Sequence, residues 1–301
     1  MTDSISSQEI VRILALCQFS GVHPRMMEVL IRQYGDIEHI FKADAGSLMS
    51  IGGMTADTAN QVANANTQLG RAEEYYTSLR QRDISVVSRF EPSYPHRLFE
   101  LNDPPTLMFY RGVLPDDNAK MVALAGAEKA TNEGIELTVE AARRFAEAGV
   151  QVVSSLNRGI DSSALLGSKS GEGTSFSVLS SGLDNIYPDD SRSLAIDVAE
   201  GGGLLSEFPP EQKYSRDSYG SSNRIIAALA QAVVVTEFYS YSTITLDLLK
   251  CCSQIGKLAF IMIDPRHGAL TDKDGFDSAV TYGAIPMVGF DKIDDIIKAL
   301  V

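Results

Sequence analysis

The chain has 301 residues, and 39 Asp and Glu against 26 Lys and Arg give it a formal net charge of −13. With 44% hydrophobic and 22% charged residues it has ample apolar surface for a packed core, which excludes a globally disordered, fibrous or low-complexity chain. Its length fits one large domain or two smaller ones, and its acidity excludes coating of duplex DNA by overall charge, though not a local basic pocket.

At the N-terminus Asp3 and Glu9 precede any apolar run, and no basic stretch leads into a hydrophobic one, so residues 1–9 do not read as a secretion signal. Residues 1–82 read as a small all-α domain of short helices. Ile10, Ile13, Leu14 and Cys17 fall at helical spacing, as do Met26, Met27, Leu30 and Ile31 behind Pro24. The tight turn at 50–55, with Gly52 and Gly53, leads into a helix predicted to run from Thr55 toward Leu79. Two short helices around such a turn resemble a helix-hairpin-helix, whose backbone amides can approach a phosphate. The alternative is a small packing module, which the excess of acidic over basic residues in this segment favours.

Residues 83–301 form the second predicted domain, where strand and helix signals alternate as in a parallel sheet with crossover helices. Apolar runs at 122–125, 150–153, 176–179, 232–235 and 258–263 are the expected buried strands. Helices are expected at 133–148, 191–200, 224–230 and 245–255, the first ending at Gly149 as a capping glycine would. The apolar stretch 225–235 is interrupted by Gln231 and is too short to span ~30 Å of hydrocarbon, so no membrane association is expected and the chain reads as cytoplasmic. Cys17, Cys251 and Cys252 lack Cys-x-x-Cys spacing, and the four histidines are scattered, so neither a disulfide framework nor a metal site is expected. The Cys251-Cys252 pair falls on an amphipathic helix and reads as packing.

Ligands of open α/β sheets bind beyond the carboxyl ends of the strands. Five turns rich in small and polar residues qualify: Gly126 to Thr131 with Gly134; Ser154 to Asp161; Ser180 to Asp184; Leu205 to Glu207; and Thr236-Glu237 with Ser240, Ser242 and Thr243. None has the Gly-x-Gly-x-x-Gly spacing of a dinucleotide site, the P-loop pattern or the Gly-x-Ser-x-Gly elbow of a hydrolase. Each glycine alone could serve only a strand-to-helix turn. Together, after successive strands, they suggest one anion-binding pocket.

In combination these blocks are specific. Tyr94-Pro95, Leu98, Asp103-Pro104-Pro105, Leu107 and Phe109 to Gly112 resemble the opening segment of the DprA/Smf family of DNA-processing proteins. Gly159-Ile160-Asp161 with Ala164, Gly182-Leu183-Asp184 with Tyr187-Pro188, Leu205 to Pro209, Asn223 to Ala227, and Gly283-Ala284 continue the likeness over roughly 90–285. The resemblance implies an α/β fold, an extended Rossmann-like parallel-sheet domain preceded by a small SAM-like helical module. It also implies single-stranded DNA binding in natural transformation and recombination, assistance to a RecA-type recombinase, a homodimer, and neither catalysis nor a cofactor. The chain ends soon after the sheet and so is expected to lack the winged-helix module that some members carry.

The phosphate- and nucleic-acid-binding residues implied are Gly126, Lys129, Arg158, Gly159, Asp161, Gly182, Glu207, Asn223, Arg224 and Thr245. Arg158 and Arg224 would contact phosphates, with Lys213 and Arg216 at the rim, amides of Gly126, Gly159 and Gly182 lining the groove, and Tyr187 or Tyr219 stacking a base. Six places depart from the family pattern. Gly126-Ala127-Glu128 stands for Gly-Ser-Arg, Ser154-Ser155-Leu156-Asn157 for Ser-Gly-Leu-Ala, and Ser222-Asn223-Arg224 for Arg-Asn-Arg; Leu165 replaces a histidine, Ser242 to Thr245 a longer loop, and Asp264-Pro265 a Pro-Gly. Two arginines are lost and a carboxylate gained, which lowers the expected affinity and salt dependence for DNA. Two alternatives stay open: a nucleotide-binding or nucleotide-cleaving relative of the cytokinin-activating LOG enzymes using Glu207 and Glu237, and a scaffold with protein contacts only.

Overall fold

The computed structural model describes residues 7–215 and 218–300. The chain clusters into two compact units, one reaching Tyr94 and resuming over Asn102–Phe109, the other made of Pro95–Leu101 and Tyr110 onward.

The first unit is built on short helices, among them Ser7–Leu14, Pro24–Tyr34, Ala45–Met49, Ala56–Ala63 and Leu69–Gln81. Asp44 and Thr55 cap two of them, their side chains accepting from the Ser47 and Thr58 amides. Ile13, Leu14, Leu16, Met27, Leu30, Leu48 and Leu79 are fully buried. The single helix expected over 55–79 is broken at Asn64–Gln68. There the Asn64 Nδ2 donates to the Asn60 carbonyl (2.8 Å) and the Thr67 hydroxyl to the Asn64 carbonyl (2.7 Å), so short polar side chains compete with the helical ladder. Strand β1 (Ser85–Ser88) lies beside β2 (Leu107–Gly112).

The second unit carries β3 (Met121–Ala125), β4 (Gln151–Ser154), β5 (Ser175–Val178), β6 (Gly203–Ser206) and β7 (Ala232–Val235). A two-residue strand β8 (Glu237–Phe238) follows, then β9 (Leu258–Ile263), a short β10 (Leu270–Thr271) paired with β8, and β11 (Ile285–Val288). The order β6-β5-β4-β3-β7-β9-β11 is parallel throughout. β3, β5, β6 and β7 are buried at every position, which is why β3 and β7 read as continuous apolar runs, while β5 and β6 bury serines and a glycine among their apolar residues. Val122, Leu124, Val152 and Val234 pack with Leu137, Ala141 and Phe145 of the helix Asn132–Glu147 and with Ile293 and Ile296 of the helix Asp291–Ala299.

From β3 the chain winds outward through β4 and β5 to β6, then crosses back to β7 on the other flank of β3. That reversal opens a crevice beyond the carboxyl ends of β3 and β7, the place where open α/β sheets take ligands. No helix among the described residues is long and apolar enough to cross a membrane.

Candidate functional site

A cavity of about 230 Å³ occupies that crevice, lined by Gly126 to Lys129 after β3, Asn157 after β4, and Tyr239 with Tyr241 to Ile244 after β8. Its walls are loops and the start of a helix, fixed by a chain of partly buried hydrogen bonds. Thr245 Oγ1 donates to the Gly126 carbonyl (3.2 Å), Asn223 Nδ2 to the Ile244 carbonyl (2.8 Å), and the Gly126 amide to Asp161 Oδ1 (3.1 Å). Asp161 also accepts from the Ser155 hydroxyl (2.5 Å) and weakly from Asn157 Nδ2 (3.4 Å). Burial pushes its carboxyl up to about 6, against the lowering effect of those donors. Gly159 turns into the following helix with φ +75, and a Cβ there would meet the Ala127 carbonyl oxygen at 2.2 Å, so only glycine fits.

Glu237 serves the fold. It is fully buried, and its carboxylate accepts from the Thr131 amide (3.0 Å), the Thr131 hydroxyl (2.8 Å) and the Tyr239 hydroxyl (2.7 Å). The Thr131 hydroxyl in turn accepts from the Gly134 amide, so the pair caps the helix Asn132–Glu147. Accepting from Tyr239 also pushes that phenol up to about 12.

The cations are less available than their residue types suggest. Arg158 Nε donates to Asp190 Oδ2 (2.8 Å), with Glu128 3.9 Å from its Nη1, and the hydrogen bond to Asp190 raises its guanidinium further. Arg224 Nη2 donates to Glu207 Oε2 (2.7 Å), both largely buried. Lys129 is exposed on the cavity wall and forms no ion pair among the described residues. Lys213 is also exposed, and Arg216 lies outside the described residues.

The structure thus brings Gly126, Lys129, Asp161, Asn223 and Thr245 to one cavity or its supporting bonds, with Arg158 and Gly159 on the adjoining turn. Gly182 instead packs under the turn after β6, its amide donating to the Gln212 carbonyl (2.8 Å), and with Gly126 bound to Asp161 two of the three expected groove amides are already satisfied. The expected base-stacking rings are also engaged. Tyr187 stacks on Tyr214 (4.0 Å), Tyr219 meets Tyr214 edge-on (5.1 Å), and the Tyr219 hydroxyl donates to Asn157 (3.0 Å). Buried Ser222, where the family pattern has arginine, meets Ser180 at 2.8 Å. Sequence reasoning missed Tyr239, Tyr241 and Asp190. The Tyr-x-Tyr pair just after the turn residues Thr236-Glu237 was the available signal for the first two; the structure brings them together across a turn closed by the Ser242 amide and the Tyr239 carbonyl.

The family model of DNA recombination-mediator protein A matches residues 85–300. The chain belongs to this family. Among its curated relatives, the Smf protein of a Synechocystis species is 29% identical over 228 residues, covering 74% of this chain and 57% of that protein. The chain thus spans little more than half of that relative's length. The crystal structure of DNA processing protein A from Streptococcus pneumoniae superposes with a TM-score of 0.70 at 21% identity, over 97% of this chain and 98% of that one. A Helicobacter pylori DNA processing protein A, studied for its single-stranded DNA binding mode, gives 0.62 at 21% identity over 72% of this chain and 97% of that one. At these identities the two structures establish the shared α/β fold with its large parallel sheet.

Proposed function

We propose that this family member binds single-stranded DNA at the carboxyl edge of its parallel sheet and acts in DNA uptake and recombination. It protects the strand and helps a RecA-type recombinase load onto it, as a cytoplasmic homodimer that works by binding and not by catalysis. The observation that carries this reading is the family match over 85–300 joined to a switch-point cavity on which Lys129 stands exposed, with no ion pair among the described residues. The Helicobacter pylori relative's binding of single strands supports it. Arg158 supplies a second cation at the same edge, in competition with Asp190 and Glu128. Overall affinity is therefore modest, and its salt dependence is as shallow as so few phosphate contacts imply.

Nucleotide cleavage is disfavoured because both carboxylates it would use are engaged, Glu237 by Thr131 and Tyr239, and Glu207 by Arg224. The test is anisotropy of a labelled oligo-dT at ~50 mM salt, competed by unlabelled single strand, duplex and mononucleotide. Competition by single strand alone is the expected result. Absence of binding, or equal competition by a mononucleotide, overturns the reading.

A further inference from the structure

Tyr241 is the feature that the site so far leaves without a task. Its ring is 75% exposed, the most exposed large hydrophobic or aromatic side chain among the described residues, yet its backbone is firmly held. Ser240, immediately before it, donates to Asp272 through both its amide (2.8 Å) and its hydroxyl (2.6 Å). The Ser242 amide donates to the Tyr239 carbonyl (2.7 Å) and the Thr243 amide to the Tyr241 carbonyl (3.0 Å). β8 and β10 pair at the base of the same segment.

Beneath it, Tyr239 is locked by its hydroxyl bond to buried Glu237. The two rings lie parallel, 2° apart in plane with centroids 5.4 Å apart, and both line the cavity that Lys129 also lines. A backbone held by hydrogen bonds lowers the entropic cost of ordering the ring it presents when a base stacks on it. Tyr239 is half-buried and Tyr241 is exposed, so the pair is open to solvent at Tyr241. A third flat ring extends it at the same spacing, and a group one sugar-phosphate away reaches toward the cavity cation.

We propose that Tyr239 and Tyr241 form a two-ring platform on which one nucleobase of the single strand stacks, outer face to Tyr241, while its phosphate is neutralised by Lys129. This rests on the single-strand reading above and adds the specific contact. Because every base has a π face, the platform accepts any sequence and requires only an unpaired base; a duplex cannot supply one.

The experiment compares the full chain with Tyr241→Ala and Tyr241→Phe on oligo-dT and on an abasic oligomer of equal length. Loss of one stacked base corresponds to weakening by about 5- to 150-fold for Tyr241→Ala on oligo-dT. Tyr241→Phe retains the ring and stays within about twofold. The slope of log affinity against log salt is unchanged in both, since no charge is altered. On the abasic oligomer the chain and Tyr241→Ala bind alike. The exposed ring leaves the melting temperature untouched in either variant, which separates stacking from folding. If the chain binds oligo-dT and Tyr241→Ala binds it equally well, the platform is wrong and single-strand binding stands. If the chain binds no oligo-dT at all, both fall.

Discussion

Reversing the charge at position 128 gives the sharpest quantitative expectation. Glu128 is half exposed on the cavity wall, 3.9 Å from the Arg158 guanidinium and next to Lys129, and it stands where the family pattern has arginine. Glu128→Arg removes a carboxylate that competes with phosphate for Arg158 and adds a cation of its own. A direct charge pair at this separation in water is worth only about 1 kcal/mol, so the effect on the fold is small. On a polyanion the effect is larger. Each added phosphate contact steepens the dependence of log affinity on log salt by about 0.7 for single strands, which at ~0.1 M salt is roughly fivefold. One new contact, or two if Arg158 is released as well, gives about 5- to 25-fold tighter binding and a slope steeper by about 0.7 to 1.4. Anisotropy of labelled oligo-dT at several salt concentrations reads both quantities from one data set. Unchanged affinity and slope would refute the reasoning, because the strand would then not pass residue 128.

Gly134→Ala is expected to destabilise the chain by about 1–3 kcal/mol in denaturant unfolding, even though alanine is favoured in helices by about 1 kcal/mol. The added Cβ would sit 1.8 Å from the Glu237 carboxylate, which is pinned by Thr131 and Tyr239, so the steric conflict outweighs propensity; a stabilised variant contradicts this assignment. Asp161 carries a pH signature. With its carboxyl at about 6 in the fold against 3.8 ordinarily, the native state holds more protons than the unfolded one between these values. Its contribution is therefore greatest below about pH 4 and declines as pH rises through about 6. Asp161→Asn, which keeps an acceptor for the Gly126 amide, is expected to lack that decline, so the stability difference between the two proteins changes between about pH 4 and 6. Parallel stability curves over this range would show that Asp161 does not titrate there.

Much of the sheet could be read from the sequence because buried parallel strands are unbroken apolar runs. Ala232–Val235 and Leu258–Ile263 coincide with their predicted bounds, and the three preceding runs shift by one residue. β11 was not legible, because Ile285 and Val288 are exposed and Pro286 lies within the strand. The helix Ser218–Leu229 begins before its expected start at Arg224. Its first turns, rich in serine and glycine, are weak helix formers, and the Ser222 and Asn223 bonds to Ser180 and to the Ile244 carbonyl hold them in place.

In the site, the turns after the strands were visible, but the state of their charges was not. Arg158 is countered by Asp190 and Arg224 by Glu207, partners far away in sequence that only the crossover topology brings near. Glycine spacing likewise suggested open amides where Asp161 and Gln212 already accept.

Single-strand binding at the β3–β7 crevice is tested most directly by a salt titration of oligo-dT affinity for the chain and for Lys129→Ala, an exposed cation on the cavity wall with no ion pair among the described residues. The expected result is a negative slope for the chain, and for Lys129→Ala a slope shallower by about 0.7 with roughly fivefold weaker binding at ~0.1 M salt. Oligo-dT binding with the same slope and affinity in both proteins would contradict it, placing the strand elsewhere on the molecule.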